Sequence, residues 1–158
     1  MNLIRMTPRK FFALALLGDR VFVHGGECNG NLADFYFLDM KTLTWTQIDD
    51  DGIPYAFHTF SPYSEKQFVA VGGLARKHLS NKVRLFDAET LTWKEEAPLP
   101  REFGGGGGGL AAHRAVELPK ENGGGGGREG AVIICLGGCV DSDAKTHPDY
   151  LLLFDVSY

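Results

Sequence analysis

The chain has 158 residues, of which 44% are hydrophobic and 11% aromatic. That is enough apolar material for one domain with a real core, and too much for a disordered chain. A net charge of −4, from 16 basic and 20 acidic residues, excludes a general nucleic-acid or anionic-membrane surface, which needs clustered Lys and Arg. Cys28, Cys135 and Cys139 are too few and too irregular for a disulfide framework and indicate a reduced compartment, so a cytoplasmic location is expected.

In chain order, the first stretch is MNLIRMTPRKFFALALLGDR. Its apolar run, residues 11–18, is short for a signal core, lacks a small-x-small cleavage site, and is far too short to span a bilayer. It is read as a strand, FFALALL, following the marker PRKF. A second strand, RVFVH, ends at Gly25 and Gly26. A third, FYFLDM, runs into a turn at Asp39, and a fourth starts at Trp45. The same order returns with PYAF, then QFVAV before Gly72 and Gly73, then VRLFDA with Asp87, then WKEE from Trp93. It returns again with PREF, HRAVEL, VIICL before Gly137 and Gly138, and YLLLFDV with Asp155. The marker prolines Pro8, Pro54 and Pro100 are spaced by 46 residues each time. A repeat of this length is one unit that buries its apolar face on its neighbours.

The second strands show little alternation, as in sheets covered on both faces. Asp39 and Asp87 are placed to accept backbone N–H groups in Asx turns. Trp45 and Trp93 then begin an outer strand and are expected to fill the gap between neighbouring sheets. Gly-Gly after an apolar strand, an aromatic-rich strand and then Trp, at a period of 46 to 48 residues, resembles the kelch repeat. LLGDRVFVHGG is especially close. The resemblance implies an all-β fold of kelch-type β-propeller blades, each a four-stranded antiparallel sheet. Residues 1–158 then form an incomplete propeller of about three blades, near 8–48, 54–96 and 98–158. The third blade carries glycine-rich insertions at 104–109 and 120–130 and lacks its fourth strand. The Trp expected six residues after Asp155 would fall beyond Tyr158. Residues 2–6 have the position of a preceding fourth strand. The chain is therefore expected to be a piece of a larger propeller, or an open arc that self-associates through open sheet edges.

The chemical candidates fall away. The glycine tracts read as expansions in solvent-exposed loops. Arg128, Glu129 and Gly130 follow the second tract where a phosphate-binding loop needs Lys and Ser or Thr. His24, His58, His78, His113 and His147 have no ligand spacing and read as ordinary strand and loop residues. DSDAKTHPDYLL lacks the Gly and Glu of a calcium loop, with Thr146 and Leu152 in their places. No metal, cofactor or catalytic residue is assigned.

Function is expected in the loops joining second and third strands, which read ECNGNLAD, LARKHLSN and CVDSDAKTHPD while the scaffold around them repeats. Arg76, Lys77 and His78 beside Asp141, Asp143 and Lys145 make a mixed-charge face suited to a polar protein partner. The expected role is a non-enzymatic interaction module, an adaptor or scaffold, with no nucleic-acid or membrane partner. In kelch families such a module often presents a bound protein to other machinery, for instance a ubiquitin ligase, but this sequence shows no recruiting domain. The alternative is the propeller portion of an enzyme or enzyme accessory protein, similar to copper oxidases or specifier proteins. Copper chemistry would need Tyr, His and Cys ligands converging on the axis, and the sequence does not assemble them.

Overall fold

The structure, a computed structural model, describes residues 6–49, 51–76, 78–99, 109–119, 131–136 and 151–156; in 95–97, 114–119, 131–136 and 151–156 the description is of the backbone. The described residues are all strand, turn and loop. The first sheet contains β1 (Ala13–Leu17), β2 (Arg20–His24), β3 (Phe35–Asp39) and β4 (Thr44–Ile48), antiparallel and in sequence order. The second repeat gives β5 (Tyr55–Ala56), β6 (Thr59–Pro62), β7 (Gln67–Val71), β8 (Leu74–Ala75), β9 (His78–Leu79), β10 (Lys82–Asp87) and β11 (Thr92–Pro98). Here β6, β7, β10 and β11 make the four-stranded sheet, while β5, β8 and β9 make a small one beside it. The third sheet has β12 (Arg114–Pro119), β13 (Ala131–Leu136) and β14 (Leu151–Val156). The first strands gather on one side, with β6 in contact with both β1 and β12. The described sheets do not close into a ring.

The sequence explains the packing between the first two sheets. In β1 the alternation ALALL turns Ala13 and Ala15 inward and Leu14 and Leu16 outward. The two alanines leave room for aromatic rings. Phe22, Phe35, Phe37 and Ile48 of the first sheet meet Phe60, Phe68, Ala70, Phe86 and Ala88 of the second. Phe22 meets Phe68 edge-on at 4.9 Å between centroids, and Phe35 lies 4.8 Å from Phe86. Each fully buried Phe contributes about 1.5–3 kcal/mol, and each such ring pair about 0.5–1.5 kcal/mol more. The other face of the second sheet buries Val69, Val71, Val83 and Leu85. The continuous apolar run in β7 therefore does reflect cover on both faces.

The repeats are joined by main-chain bonds. Gly26 N–H donates to the Tyr55 carbonyl at 2.7 Å, and Gly73 N–H to that of Leu110 at 2.6 Å. Phe57 N–H donates to Phe11 O, and Ala112 N–H to Phe57 O, both at 2.9 Å. Phe11, Phe57 and Ala112 share a left-handed φ of 57, 60 and 56°. The third marker is thus displaced from expectation: Ala112, not Phe103, occupies the structural place of Phe11 and Phe57. The bond that defines this place uses backbone atoms, so it puts no demand on a Phe side chain. The first glycine tract also ends differently from expectation. Gly109 is buried, and a Cβ there would stand 2.2 Å from the Ser80 carbonyl oxygen. Residues 2–5, Gly137 and Gly138 lie outside the described residues.

Candidate protein-interaction surface

The two ends of the sheets differ in construction. One end carries the turns between third and fourth strands. Asp39 accepts from Lys41 N–H and Thr42 N–H, both at 2.9 Å, and Asp87 accepts from Glu89 N–H at 3.0 Å and Thr90 N–H at 2.8 Å. The Thr42 and Thr44 hydroxyls bond at 2.6 Å, and those of Thr90 and Thr92 at 2.8 Å. Leu43 and Leu91 sit at φ 54 and 56° between them. These are the Asx turns expected of the repeated Thr-Leu-Thr-Trp. Hydrogen bonds from the turn's own N–H groups, first that of Thr42 and first that of Thr90, hold both carboxyls below the usual carboxylate value. Asp19 bonds Lys41 at 2.5 Å and Glu89 bonds Lys66 at 3.0 Å, and each raises its lysine. With Arg20 and Glu65 they line an open cleft of about 440 Å³ between the sheets. Both lysines of this cleft are held in ion pairs, and Arg20 lies over the Phe37 ring.

The other end carries the loops between second and third strands. Their roots are the same in both described repeats. Leu32 N–H donates to Gly26 O and Ser80 N–H to Gly73 O, both at 2.7 Å. Tyr55 N–H then donates to Leu32 O, and Leu110 N–H to Ser80 O, both at 3.1 Å. The tips differ. In the first loop Glu27 bridges Lys10 and Asn31, leaving Asn29 and Gly30 exposed at its end. In the second, β8 and β9 form a short hairpin with Arg76 at φ 47° and exposed, and His78 exposed after it. Asn31 donates its side-chain N–H to Leu74 O at 2.8 Å, tying one tip to the next. Of the six residues expected to face a partner, Arg76 and His78 are exposed here. Lys77, Asp141, Asp143 and Lys145 lie outside the described residues.

Trp93 and Trp45 part company. Trp93 packs between the first two sheets, 5.1 Å from Phe86 and 6.2 Å from Phe35, with the Arg84 guanidinium 3.9 Å above its ring. Arg84 also pairs with Asp51 in the link between repeats. Trp45 is half-buried on the face of the first sheet away from the second. Its expected gap is not filled by another sheet among the described residues. Asp155 lies in β14, where only the backbone is described.

Sequence reasoning missed the buried histidines. His24, His58 and His113 are 1%, 6% and 1% exposed. His24 Nδ1 and His58 Nε2 are in hydrogen-bond contact across the first joint, and His113 Nε2 lies 3.0 Å from the Thr59 hydroxyl across the second. Burial, then the neighbouring His24, His113 and Arg84, pushes His58 well below the ordinary histidine value. A signal was present: His58 and His113 each follow the left-handed marker residue. Among the described residues no group of three or more His, Cys, Asp or Glu side chains is placed to hold a metal ion. No helix among them is long and apolar enough to cross a membrane.

No family model matches the chain. It is 26% identical over 130 residues to kelch domain-containing protein 10 of Rattus norvegicus, covering 77% of this chain and 32% of that protein. It is 34% identical over 88 residues to the human Rab9 effector protein with kelch motifs, covering 51% and 24%. It is 27% identical over 99 residues to acyl-CoA-binding domain-containing protein 5 of Arabidopsis thaliana, covering 56% and 15%. The chain thus spans a third or less of each of these relatives. Its repeats are kelch-like.

Proposed function

We propose that this chain is a non-enzymatic protein-interaction module, an adaptor or scaffold, whose loops between second and third strands hold a protein partner. One observation carries the reading: the loop roots make the same backbone bonds in successive repeats while the tips differ in sequence and shape. A fixed frame with variable ends is the arrangement by which rigid scaffolds present binding residues. The exposed Arg76 and His78 fit a polar partner with acidic groups, with Lys77, Asp141, Asp143 and Lys145 as further members of the face. Relatives that bear kelch motifs support the module reading, and one is named as an effector of Rab9.

The test compares the two ends. Partners retained by the immobilised chain are measured for Arg76→Glu with His78→Glu, and separately for Lys41→Glu with Lys66→Glu. The first pair is expected to lose the partner and the second to keep it. The opposite outcome assigns binding to the charged cleft and removes this reading. Stoichiometric copper or iron in the purified protein would favour an enzyme instead.

A further inference from the structure

The first sheet buries one face against the second sheet and leaves part of the other open. On that other face Val23 and Tyr36 are buried, with Arg9 over the Tyr36 ring, while the rows nearer the third-to-fourth-strand turn are not covered among the described residues. On the open face, Leu14 and Leu16 are 55% and 58% exposed, and Val21, Leu38 and Trp45 are half-buried. The strand register sets Leu16, Val21, Leu38 and Trp45 in a single row across all four strands. In the second sheet the same row is Pro62, Phe68, Phe86 and Trp93. There, Phe68, Phe86 and Trp93 form the joint against the first sheet. The open row is therefore the repeat of a row that already makes an interface in this molecule.

We propose that this open face is an interaction surface for another sheet of the same repeat, and that its occupant is the third sheet of a second copy of this chain. What covers the row in the second sheet is the opposite face of the first, with Ala15, Phe22 and Phe37 in one row. Counting from the glycine pair and the turn aspartate, the matching positions of the third sheet are Val116, Ile134 and Leu153. The register of β12, β13 and β14 puts these three in one row. That row is uncharged and apolar, like the row it would replace. The second sheet cannot be the occupant, because both of its faces are already covered.

Two copies of the three larger described sheets give six, within the range of about four to eight at which propellers close. If the repeat holds and the Val116, Ile134 and Leu153 row turns away from the second sheet, a two-fold pair would make the joint twice and leave neither face over. The expected assembly of this chain is then a pair. This inference is independent of the proposed role of the loops.

Light scattering after size exclusion reads it directly. The chain is expected at twice its mass of 17.3 kDa. Leu14→Lys and Leu16→Lys, at positions exposed in the single chain, are expected to return it to one chain with an unchanged circular dichroism spectrum. A second measurement does not depend on those variants. In Trp93→Phe, Trp45 is the sole tryptophan of the two in the chain. Its emission is expected to shift to the blue as concentration rises, in step with the mass. A single chain at high concentration overturns the inference. So does an assembly that ignores Leu16→Lys, as pairing through the β14 edge would, and so does a Trp45 emission that stays constant through association.

Discussion

His24 Nδ1 and His58 Nε2 stand 2.8 Å apart inside the joint between the first two sheets, with both rings shut off from water. Such a bond needs one nitrogen to donate and the other to accept, so at least one ring must be neutral. His58 Nδ1 has no partner among the described residues. Donation by His58 Nε2–H to His24 leaves an acceptor unpaired at Nδ1 rather than a proton, and an unpaired acceptor still keeps its lone pair available to the ring edges around it. The groups facing His58 are His24, His113, Arg84 and Tyr55, with no carboxylate among them to favour the charged form.

The joint should weaken in mild acid. The folded value of His58 lies below its unfolded value of 6.5, so below that pH the unfolded chain binds the extra proton. Stability is complete above about pH 6.5 and falls with pH by up to about 1.4 kcal/mol per unit for each such proton. Denaturant titrations between about pH 7.5 and 5.5 should show this slope, and His58→Phe should flatten it whatever its effect at neutral pH. An equal slope in both proteins would place the acid sensitivity elsewhere.

The two tryptophans should answer differently to the same change. Trp93→Ala removes a ring that touches Phe35, Phe60, Phe86 and Arg84, and should cost about 2–4 kcal/mol, a little under the range for a fully buried Trp. Trp45→Ala, measured at low concentration, should cost less than about 1 kcal/mol because its face is open. Equal losses would show that a sheet covers Trp45 within the single chain.

Glycines with the same backbone angle should also separate. Gly25 and Gly72 have φ of 60 and 59°, and a Cβ on them would stand 2.2 Å from Tyr55 O and 2.1 Å from Leu110 O. Gly18 has φ 56° with nothing near. Gly18→Ala should cost only the left-handed strain, about 1–2 kcal/mol. Gly25→Ala and Gly72→Ala must also push a neighbouring repeat away and should lower the melting temperature several times further. Similar melting temperatures for all three would mean that the joints are soft.

The Asx turns titrate in a separate window. Asp39 and Asp87 are held below their ordinary value of 3.8, so their contribution is present above it and is lost as pH falls through the folded value. Carboxyl chemical shifts followed in acid should show both midpoints below 3.8. Asp87→Ala should destabilise and Asp87→Asn should largely restore, since the amide keeps one acceptor oxygen. A normal midpoint at Asp87 would mean that the turn opens in solution.

What the sequence makes legible follows the range of each interaction. The turns could be read because Asp39 and its two donors lie within three residues of one another. The strands could be read because their apolar runs are local and bounded by glycine pairs. The third marker could not, since the Ala112 to Phe57 bond uses no side chain and the residues 100–103 offered a better-looking match. The His24–His58 contact spans 34 residues and has no local trace. Trp45 and Trp93 stand in the same written motif, and only the presence of a neighbouring sheet tells them apart. At the candidate surface, exposure at Arg76 and His78 was anticipated; the shared loop roots beneath them are main-chain features that composition does not display.

The link between repeats runs from one main chain to the next, Gly26 to Tyr55 and Gly73 to Leu110, and it asks of a side chain only that it be absent at the glycine. The main-chain part of this coupling does not depend on which side chain follows it; the packing across the joint is a separate requirement. Phe57 and Ala112 hold equivalent places, and the second link is made although Leu110 lies eight residues further from Gly73 than Tyr55 does from Gly26, 37 against 29. For protein engineering this marks a natural splice point: a unit cut just after one glycine pair and before the next carries its own hook and its own eye. Whole units can then be exchanged between chains that keep the apolar rows meeting across the joint, which is also how a lineage could lengthen or shorten such an array in single steps.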